Sequence, residues 1–208
     1  MTGKMDSQNR RSGLKFSALL VWLCLAYAPP SVAADLRVIA HQTGAYFAPA
    51  RPDWPQPADQ GQVFYLQRSM NANTVVYSAH MQAGALDQAT PLHAYWRRFN
   101  DGGEVKPLKP FERRLAYGVR ARKQGDGYVI RFAGLPQLRP VLRLDKSGKP
   151  ALWADYGGRQ IRLISGYLEL DETGMIPRVT GLRIHGMDPI TGRQHLVTFA
   201  VSDGVLKQ

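Results

Sequence analysis

An arginine on the apolar side of a predicted strand is the first residue of this sequence whose position requires a chemical explanation. Residues 63–68 read Val-Phe-Tyr-Leu-Gln-Arg, a β-branched and aromatic run that favours a strand. Because side chains alternate between the two faces of a strand, Arg68 shares a face with Phe64 and Leu66. A guanidinium on that face needs an acid, an aromatic ring or a ligand anion as its partner.

The strand predicted over residues 92–99 repeats this combination of arginine and aromatic residues. One face takes Trp96 and Arg98, and the other takes Tyr95 and Arg97. An arginine stacked on an aromatic ring is either a structural brace or one wall of a site that accepts a carboxylate, a phosphate or a sugar ring. The alternation pattern is compatible with both interpretations.

The joint between the strands predicted at 63–68 and 74–81 is rich in hydrogen-bonding side chains. Asn71 and Asn73 are typical of positive φ angles or of side-chain bonds to a turn backbone, and we favour that structural role. Tyr117 adds a hydroxyl to the same neighbourhood if its strand pairs nearby. The alternation argument predicts these ligand-binding residues: Arg68, Asn71, Asn73, Tyr95, Trp96, Arg98 and Tyr117.

Motifs for a cofactor or a catalytic triad are absent from the sequence. It contains no Walker loop, no dinucleotide fingerprint and no Gly-x-Ser-x-Gly elbow. No two of its histidines lie three to five residues apart, the spacing expected of a local metal pair, so we predict no metal, no cofactor and no catalytic residue. A zinc site assembled from distant strands is the alternative. The acids Glu169, Asp171 and Glu172 are explained by a solvated turn.

The N-terminal residues 1–34 have the order of an export signal. Basic residues precede an apolar run at 16–28, which is followed by two prolines and then by small residues at 31–34. The run has 13 residues, too few to span a bilayer, so we predict cleavage near Ala33 or Ala34. An uncleaved anchor is the alternative, and residues 9–15 leave a choice between ordinary and twin-arginine export. We reject lipidation at Cys24, because Leu23 stands where a lipobox needs a small residue.

Charge is concentrated in one segment of the predicted mature protein. Cleavage after residue 34 removes four basic side chains and one acidic side chain, which lowers the net charge from +11 to +8, and residues 106–123 carry +6 of this excess. A basic patch on an exported protein suits anionic lipid headgroups, an anionic envelope polymer or an acidic partner, so peripheral membrane contact through residues 106–123 is one expectation. Export argues against nucleic acid, and a merely solvated face is the alternative.

Turn residues divide the chain from residue 61 onward into about ten short strands, with one helix predicted over 107–114. This pattern predicts an all-β fold, an antiparallel barrel or sandwich, in a single domain at 61–208. Four prolines between residues 49 and 57 indicate that residues 35–60 form an extended arm in front of it.

Several of these segments together resemble a known family. Residues 64–69, 71–77, 95–98 and 114–119 are similar to those of an uncharacterised family of exported bacterial proteins, domain of unknown function 4833. The resemblance covers about residues 62 to 200 and implies a single β-rich domain behind a signal peptide. It implies no activity, cofactor or catalytic residue.

These observations favour a binding module over an enzyme. The leading hypothesis is a periplasmic or secreted β domain that binds an anionic small molecule, lipid headgroup or envelope polymer through the arginines and aromatic residues. One alternative is an envelope-polymer hydrolase that uses His80, His93 or His185 as its base. The other is a structural or partner-binding protein that docks through its basic helix and its arm.

Overall fold

A computed structural model describes residues 36–173 and 177–201 of the chain, and the predicted signal peptide lies outside them. The described residues are mostly β-structure, with one short α-helix, as the sequence predicts. They hold fourteen strands rather than about ten: one additional strand lies at 36–44, and three short ones at 81–86 and 104–107 have no clear sequence pattern. The strands are β1 (Leu36–Gly44), β2 (Gln62–Arg68), β3 (Asn71–Ala79), β4 (Met81–Gln82), β5 (Ala85–Leu86), β6 (Leu92–Arg98), β7 (Glu104–Pro107), β8 (Val119–Gln124), β9 (Gly127–Phe132), β10 (Val141–Leu144), β11 (Pro150–Tyr156), β12 (Arg159–Asp171), β13 (Arg178–Met187) and β14 (Gln194–Val201).

Helix α1 (Pro110–Leu115) lies within the predicted helical segment. Pro110 occupies the start of the helix, where its fixed φ is favourable and its missing N–H costs nothing. Glu112 lies in the first turn, and Arg113 and Arg114 in the last, so all three charges complement the helix dipole. No helix within the described ranges is long and apolar enough to cross a membrane.

Twelve of the strands form one sheet. Its main hydrogen-bonded order is β7-β6-β3-β2-β12-β11-β10-β9-β8, while β13 joins β12 to β14 and β1 pairs with β14. Most neighbours are antiparallel, but β2 and β12 are parallel, with Tyr65 beside Ser165 and Arg68 beside Leu168. The expectation of a wholly antiparallel barrel or sandwich is therefore corrected to a mixed sheet. Hairpin signals predict pairing between successive strands only, and these two are about a hundred residues apart.

The main sheet curls around its own core into a half-barrel. Tyr77 on β3 and Phe132 on β9 are separated by four strands in the hydrogen-bonded order, yet their ring centroids lie 5.1 Å apart. Phe64 on β2 also contacts Phe132, at 6.0 Å. All three rings are buried, so residues that share one face of the sheet meet across its concave side. The hydrophobic effect stabilises the curvature, because it removes these rings from water.

Part of the segment expected to be an extended arm is a strand. Leu36–Gly44 forms β1, which pairs along the length of β14, and residues 45–61 carry no further strand. Within the latter stretch, Phe47 N donates a hydrogen bond to Gln194 Oε1 at 2.7 Å. The apolar residues of this strand are confined to positions 36–40 and most of the strand is exposed, which explains why the sequence pattern of β1 is weak.

Candidate functional site

Arg68 ends strand β2 with its guanidinium against two aromatic rings. Its guanidinium carbon lies 4.5 Å from the ring centroid of Trp96 and 5.8 Å from that of Tyr117. Residues 66, 75 and 96 are cross-strand neighbours on β2, β3 and β6, so the sheet register brings the Trp96 ring beside the end of β2. Trp96 is buried and Arg68 is half-buried. The charge therefore lies on the apolar face of the strand, as the alternation predicts, and the aromatic rings compensate part of it.

The polar partners of Arg68 are all neutral. Nη1 donates to the hydroxyl of Tyr117 at 3.4 Å, and Nη2 donates to Asn71 Oδ1 at 3.2 Å. Nε is buried and has no hydrogen-bond partner. No carboxylate of the described residues lies within ion-pair distance of this guanidinium. We call Arg68, Asn71, Trp96 and Tyr117 the Arg68 cluster; they are four of the seven predicted site residues.

Glu112 of helix α1 contacts the cluster through Trp96, and its carboxylate already accepts two hydrogen bonds. Its Oε2 accepts hydrogen bonds from Trp96 Nε1 at 3.0 Å and from Lys109 N at 2.8 Å. The second bond satisfies a free N–H at the start of the helix. Glu112 therefore positions the Trp96 ring rather than neutralising Arg68. This role was not predicted from the sequence, although an acid in the third position of a helix that begins at Pro110 is a recognisable capping signal.

The two asparagines hold backbone as well as side chains. Asn71 Oδ1 accepts from the backbone N–H of Asn73 at 3.1 Å, in addition to Arg68. Asn73 is buried, and its Oδ1 accepts from Asn100 N at 3.0 Å, which ties β3 to the short 3-10 turn at residues 99–101. Neither residue has a positive φ. Asn71 thus belongs to the Arg68 cluster, whereas Asn73 serves the neighbouring turn.

The structure places Tyr95 and Arg98 outside the cluster. Tyr95 lies on the other face of β6, where its hydroxyl donates to Asp59 Oδ2 at 2.8 Å. Arg98 shares a face with Trp96 by alternation, but its Nε donates to Asp101 Oδ2 at 3.0 Å. Because Arg98 already has a carboxylate partner, it differs from Arg68 in the feature that would attract a ligand anion.

A second arginine, Arg97, forms an ion pair that no sequence pattern predicted. This pair holds the segment before β2 against the sheet. Arg97 forms an ion pair with Asp59, donates from Nε to Asp59 Oδ2 at 3.2 Å and donates from Nη1 to the carbonyl of Gly103 at 2.8 Å. Hydrogen bonding to Asp59 raises the pKa of the Arg97 guanidinium. This acid lies 38 residues before its partner in an irregular segment, so no local pattern identifies it.

The three histidines of the hydrolase alternative do not form one group. His80 and His93 are exposed neighbours with ring centroids 6.5 Å apart, and burial of part of the His93 ring lowers its pKa. His185 lies on β13, where its Nε2 is 3.0 Å from Gln194 Oε1. His41 and His195 form a separate pair, with Nε2 and Nδ1 2.9 Å apart. Among the described residues, no three potential ligands converge on a metal site.

Two concavities lie away from the Arg68 cluster. One, of about 40 Å³, lies beneath residues 48–50 and includes Tyr65, Gln67 and Arg183, so it has room for water only. The other, of about 270 Å³, is mainly apolar, and its lining includes Leu36, Leu138 and Phe199. Neither contains a residue of the predicted site.

Comparison with known proteins adds a family to this geometry. The family model described as "Domain of unknown function (DUF4833)" matches residues 64–196. No curated protein and no solved structure matches the chain. The matched residues include the whole Arg68 cluster and helix α1, and they cover well over half of the 208 residues. The chain therefore belongs to the DUF4833 family.

Proposed function

We propose that this protein is an exported binding module that takes an anionic group, a phosphate or a carboxylate, at the Arg68 cluster. The observation that carries the proposal is the guanidinium of Arg68. Its carbon lies 4.5 Å from the ring centroid of Trp96 and the residue is half-buried, yet no carboxylate among the described residues pairs with it. A partly desolvated cation without a counter-ion is stabilised by any anion that reaches it.

The present partners of Arg68 are compatible with an incoming anion. Its bonds to Tyr117 and Asn71 are 3.4 and 3.2 Å long, longer than the usual charge-assisted distance of about 2.8 Å. An anion oxygen accepts from either terminal nitrogen more strongly than a neutral oxygen does. The Tyr117 hydroxyl, which accepts from Arg68, keeps its own proton for donation to the same anion. The Trp96 ring supplies a flat apolar wall beside it.

The predicted export signal limits the sources from which the anionic group could come. Outside the cytoplasm, phosphates and carboxylates occur on lipid headgroups, on envelope polymers and on small solutes. The guanidinium recognises the same anionic oxygen atoms in all three sources, so a binding measurement with a probe for each source is needed to distinguish them. The hydrolase alternative needs only one of His80, His93 and His185 as its base, and no observation on the described residues favours one of them: the rings of His80 and His93 are neighbours, and His185 Nε2 lies 3.0 Å from Gln194 Oε1.

Thermal unfolding and isothermal titration with three probes test this proposal. The probes are inorganic phosphate, glucuronate and a short-chain phosphatidylglycerol below its micelle concentration. We expect at least one of them to raise the Tm of the wild-type chain and to lose at least tenfold in affinity in Arg68→Gln, which is about the contribution of one charged hydrogen bond. Binding of phosphate alone indicates a free solute, and binding of the lipid alone indicates a headgroup.

Arg98→Gln is the matched control, because Arg98 is an arginine of similar exposure that already pairs with Asp101. We expect this variant to bind each probe as the wild type does. The proposal is wrong if no probe stabilises the wild type more than Arg68→Gln. It is also wrong if the two variants lose affinity equally, since that result indicates general attraction by positive charge.

A further inference from the structure

Helix α1 and the neighbouring strand β8 form a surface on which apolar side chains lie among unpaired cations. Phe111 is 60% exposed and Leu115 is 55% exposed. The two residues are four apart in the helix, so they lie on the same side of it. We call this region, residues 109–123, the α1–β8 surface. Two large apolar side chains exposed side by side are unusual on a helix of only six residues, and such a pair is typical of a contact surface.

Among residues 36–173 and 177–201, no acid forms an ion pair with a cation of the α1–β8 surface. Of the five ion pairs among the described residues, the only one near this surface joins Lys106 to Glu104 at 2.9 Å. The one acid in the segment, Glu112, is directed towards Trp96 and Lys109. The cations of this segment with neither an ion pair nor an aromatic contact among the described residues are Lys109, Arg113, Arg114, Arg120 and Arg122. Lys123 lies on the other face of β8 from Arg120 and Arg122, with its Nζ 4.6 Å from the ring centroid of Tyr128. The charge of the other five cations is therefore available to an external anionic partner.

Protection of the sheet edge explains only part of this arrangement. Strand β8 ends the main strand order and is exposed over five of its six residues, and charged side chains on such an edge prevent pairing with other chains. That role requires no exposed phenylalanine or leucine on the preceding helix. Apolar side chains surrounded by lysine and arginine suit one kind of partner especially well, a bilayer with anionic headgroups over an apolar interior.

We infer that the α1–β8 surface docks onto an anionic lipid bilayer, with Phe111 and Leu115 inserted at the headgroup level and the five cations on lipid phosphates. The inference is independent of anion binding at Arg68, because none of these seven residues belongs to the Arg68 cluster. Docking through this surface also brings the Arg68 cluster close to the bilayer. Tyr117 lies two residues beyond the end of the helix, and Met70, whose Sδ lies 3.9 Å from Arg68 Nη1, is a further exposed apolar side chain.

An environment-sensitive dye at a single position tests insertion directly in the full chain. With Cys24→Ser as background, the dye NBD is attached through Leu115→Cys or, as control, through Ile190→Cys. Ile190 is 90% exposed in the turn between β13 and β14. The vesicles are phosphatidylcholine alone or with a third of phosphatidylglycerol. We expect a blue shift and brighter emission at position 115 on anionic vesicles only, and no change at position 190. Comparing two positions in one chain separates this contact from any binding by residues 1–34.

Charge and apolar variants then separate the two components of docking. Arg113→Gln with Arg114→Gln lowers the affinity for anionic vesicles roughly 30-fold at low salt. Phe111→Ser lowers it about tenfold. The control pair Lys146→Gln with Lys149→Gln, on the exposed turn between β10 and β11, has little effect.

Three results overturn the inference. The first is equal dye responses at positions 115 and 190, or no response at either. The second is vesicle binding that depends on Arg113 and Arg114 but not on Phe111, which indicates electrostatic attraction to the headgroups without insertion. The third is a blue shift at position 115 that grows with protein concentration without vesicles, which indicates that a second copy covers the surface.

Discussion

Trp96 Nε1 donates a hydrogen bond to Glu112 Oε2 at 3.0 Å, and this bond joins the centre of strand β6 to helix α1. The same oxygen accepts from Lys109 N at the start of the helix. The indole that carries Arg68 on its face is thus held at its edge by the helix of the α1–β8 surface. One carboxylate therefore connects the two regions of the protein for which we propose binding.

Replacing Glu112 by alanine removes this connection. Glu112→Ala leaves the buried Trp96 N–H without an acceptor and the helix without its cap, so we expect the free energy of unfolding to fall by about 1–3 kcal/mol. Glu112→Gln keeps an acceptor oxygen and should lose less than half as much. Urea unfolding of both variants measures the difference. Equal stability of the two variants would contradict the role given to the carboxylate oxygen.

Gly118 permits the chain to pass close to helix α1. A Cβ at this position would lie 1.9 Å from the carbonyl oxygen of Arg113, which is backbone and cannot rotate away. We expect Gly118→Ala to destabilise the protein by about 2–3 kcal/mol, as overpacking does. Gly44→Ala is the control, because its Cβ would lie 3.3 Å from the side chain of Phe47 and no closer than 3.7 Å to a backbone atom. Thermal unfolding should separate the two variants clearly, and similar Tm values would refute the steric argument.

Asp59 and Asp53 allow a comparison between two ion pairs of the segment before β2. The Asp59 side chain is 10% exposed beside Arg97, whereas that of Asp53 is 58% exposed beside Arg51. Removing one partner of a partly buried pair leaves the other charge unsatisfied, so Asp59→Asn should lower the free energy of unfolding by about 1–3 kcal/mol. Asp53→Asn should cause no measurable change, since exposed pairs contribute little. Denaturant titrations that rank the two variants in the reverse order would contradict this prediction.

Because His195 is buried, we expect the folded protein to lose stability in mild acid. Burial, with a smaller contribution from His41, lowers the pKa of His195 below its usual value. The unfolded chain therefore binds this proton more readily than the folded chain. The stability contributed by neutral His195 is complete above the ordinary histidine pKa of about 6.5 and is lost as the pH falls below it. We expect the Tm to fall between pH 7.5 and pH 5.

His195→Gln tests the assignment of this pH dependence. The slope of Tm against pH should be shallower in the variant than in the wild type, whatever the variant's stability at neutral pH. His185, whose pKa burial also lowers, should leave a residual slope. An unchanged slope in His195→Gln would show that other titratable groups cause the dependence of Tm on pH.

Local patterns predicted the β-rich class, the helix and the face of β2 on which Arg68 lies. Pro110 and the following charges mark α1 because these residues favour the start and the end of a helix. Alternation assigned Arg68 to the apolar face of β2, since a strand has a period of two whatever its neighbours are. The resemblance of residues 64–119 to DUF4833 is likewise confirmed over residues 64–196.

What only the tertiary structure decided is which partner each of these side chains meets. Arg68 and Arg98 both lie on apolar strand faces in the sequence pattern, yet Arg98 pairs with Asp101 while Arg68 meets Tyr117, 49 residues away. The parallel pairing of β2 with β12 is similarly remote. Periodicity determines the face of a strand because it depends on backbone geometry alone. Register and partners depend on how the whole sheet buries Phe64, Tyr77 and Phe132, and that packing is established only when distant strands come together.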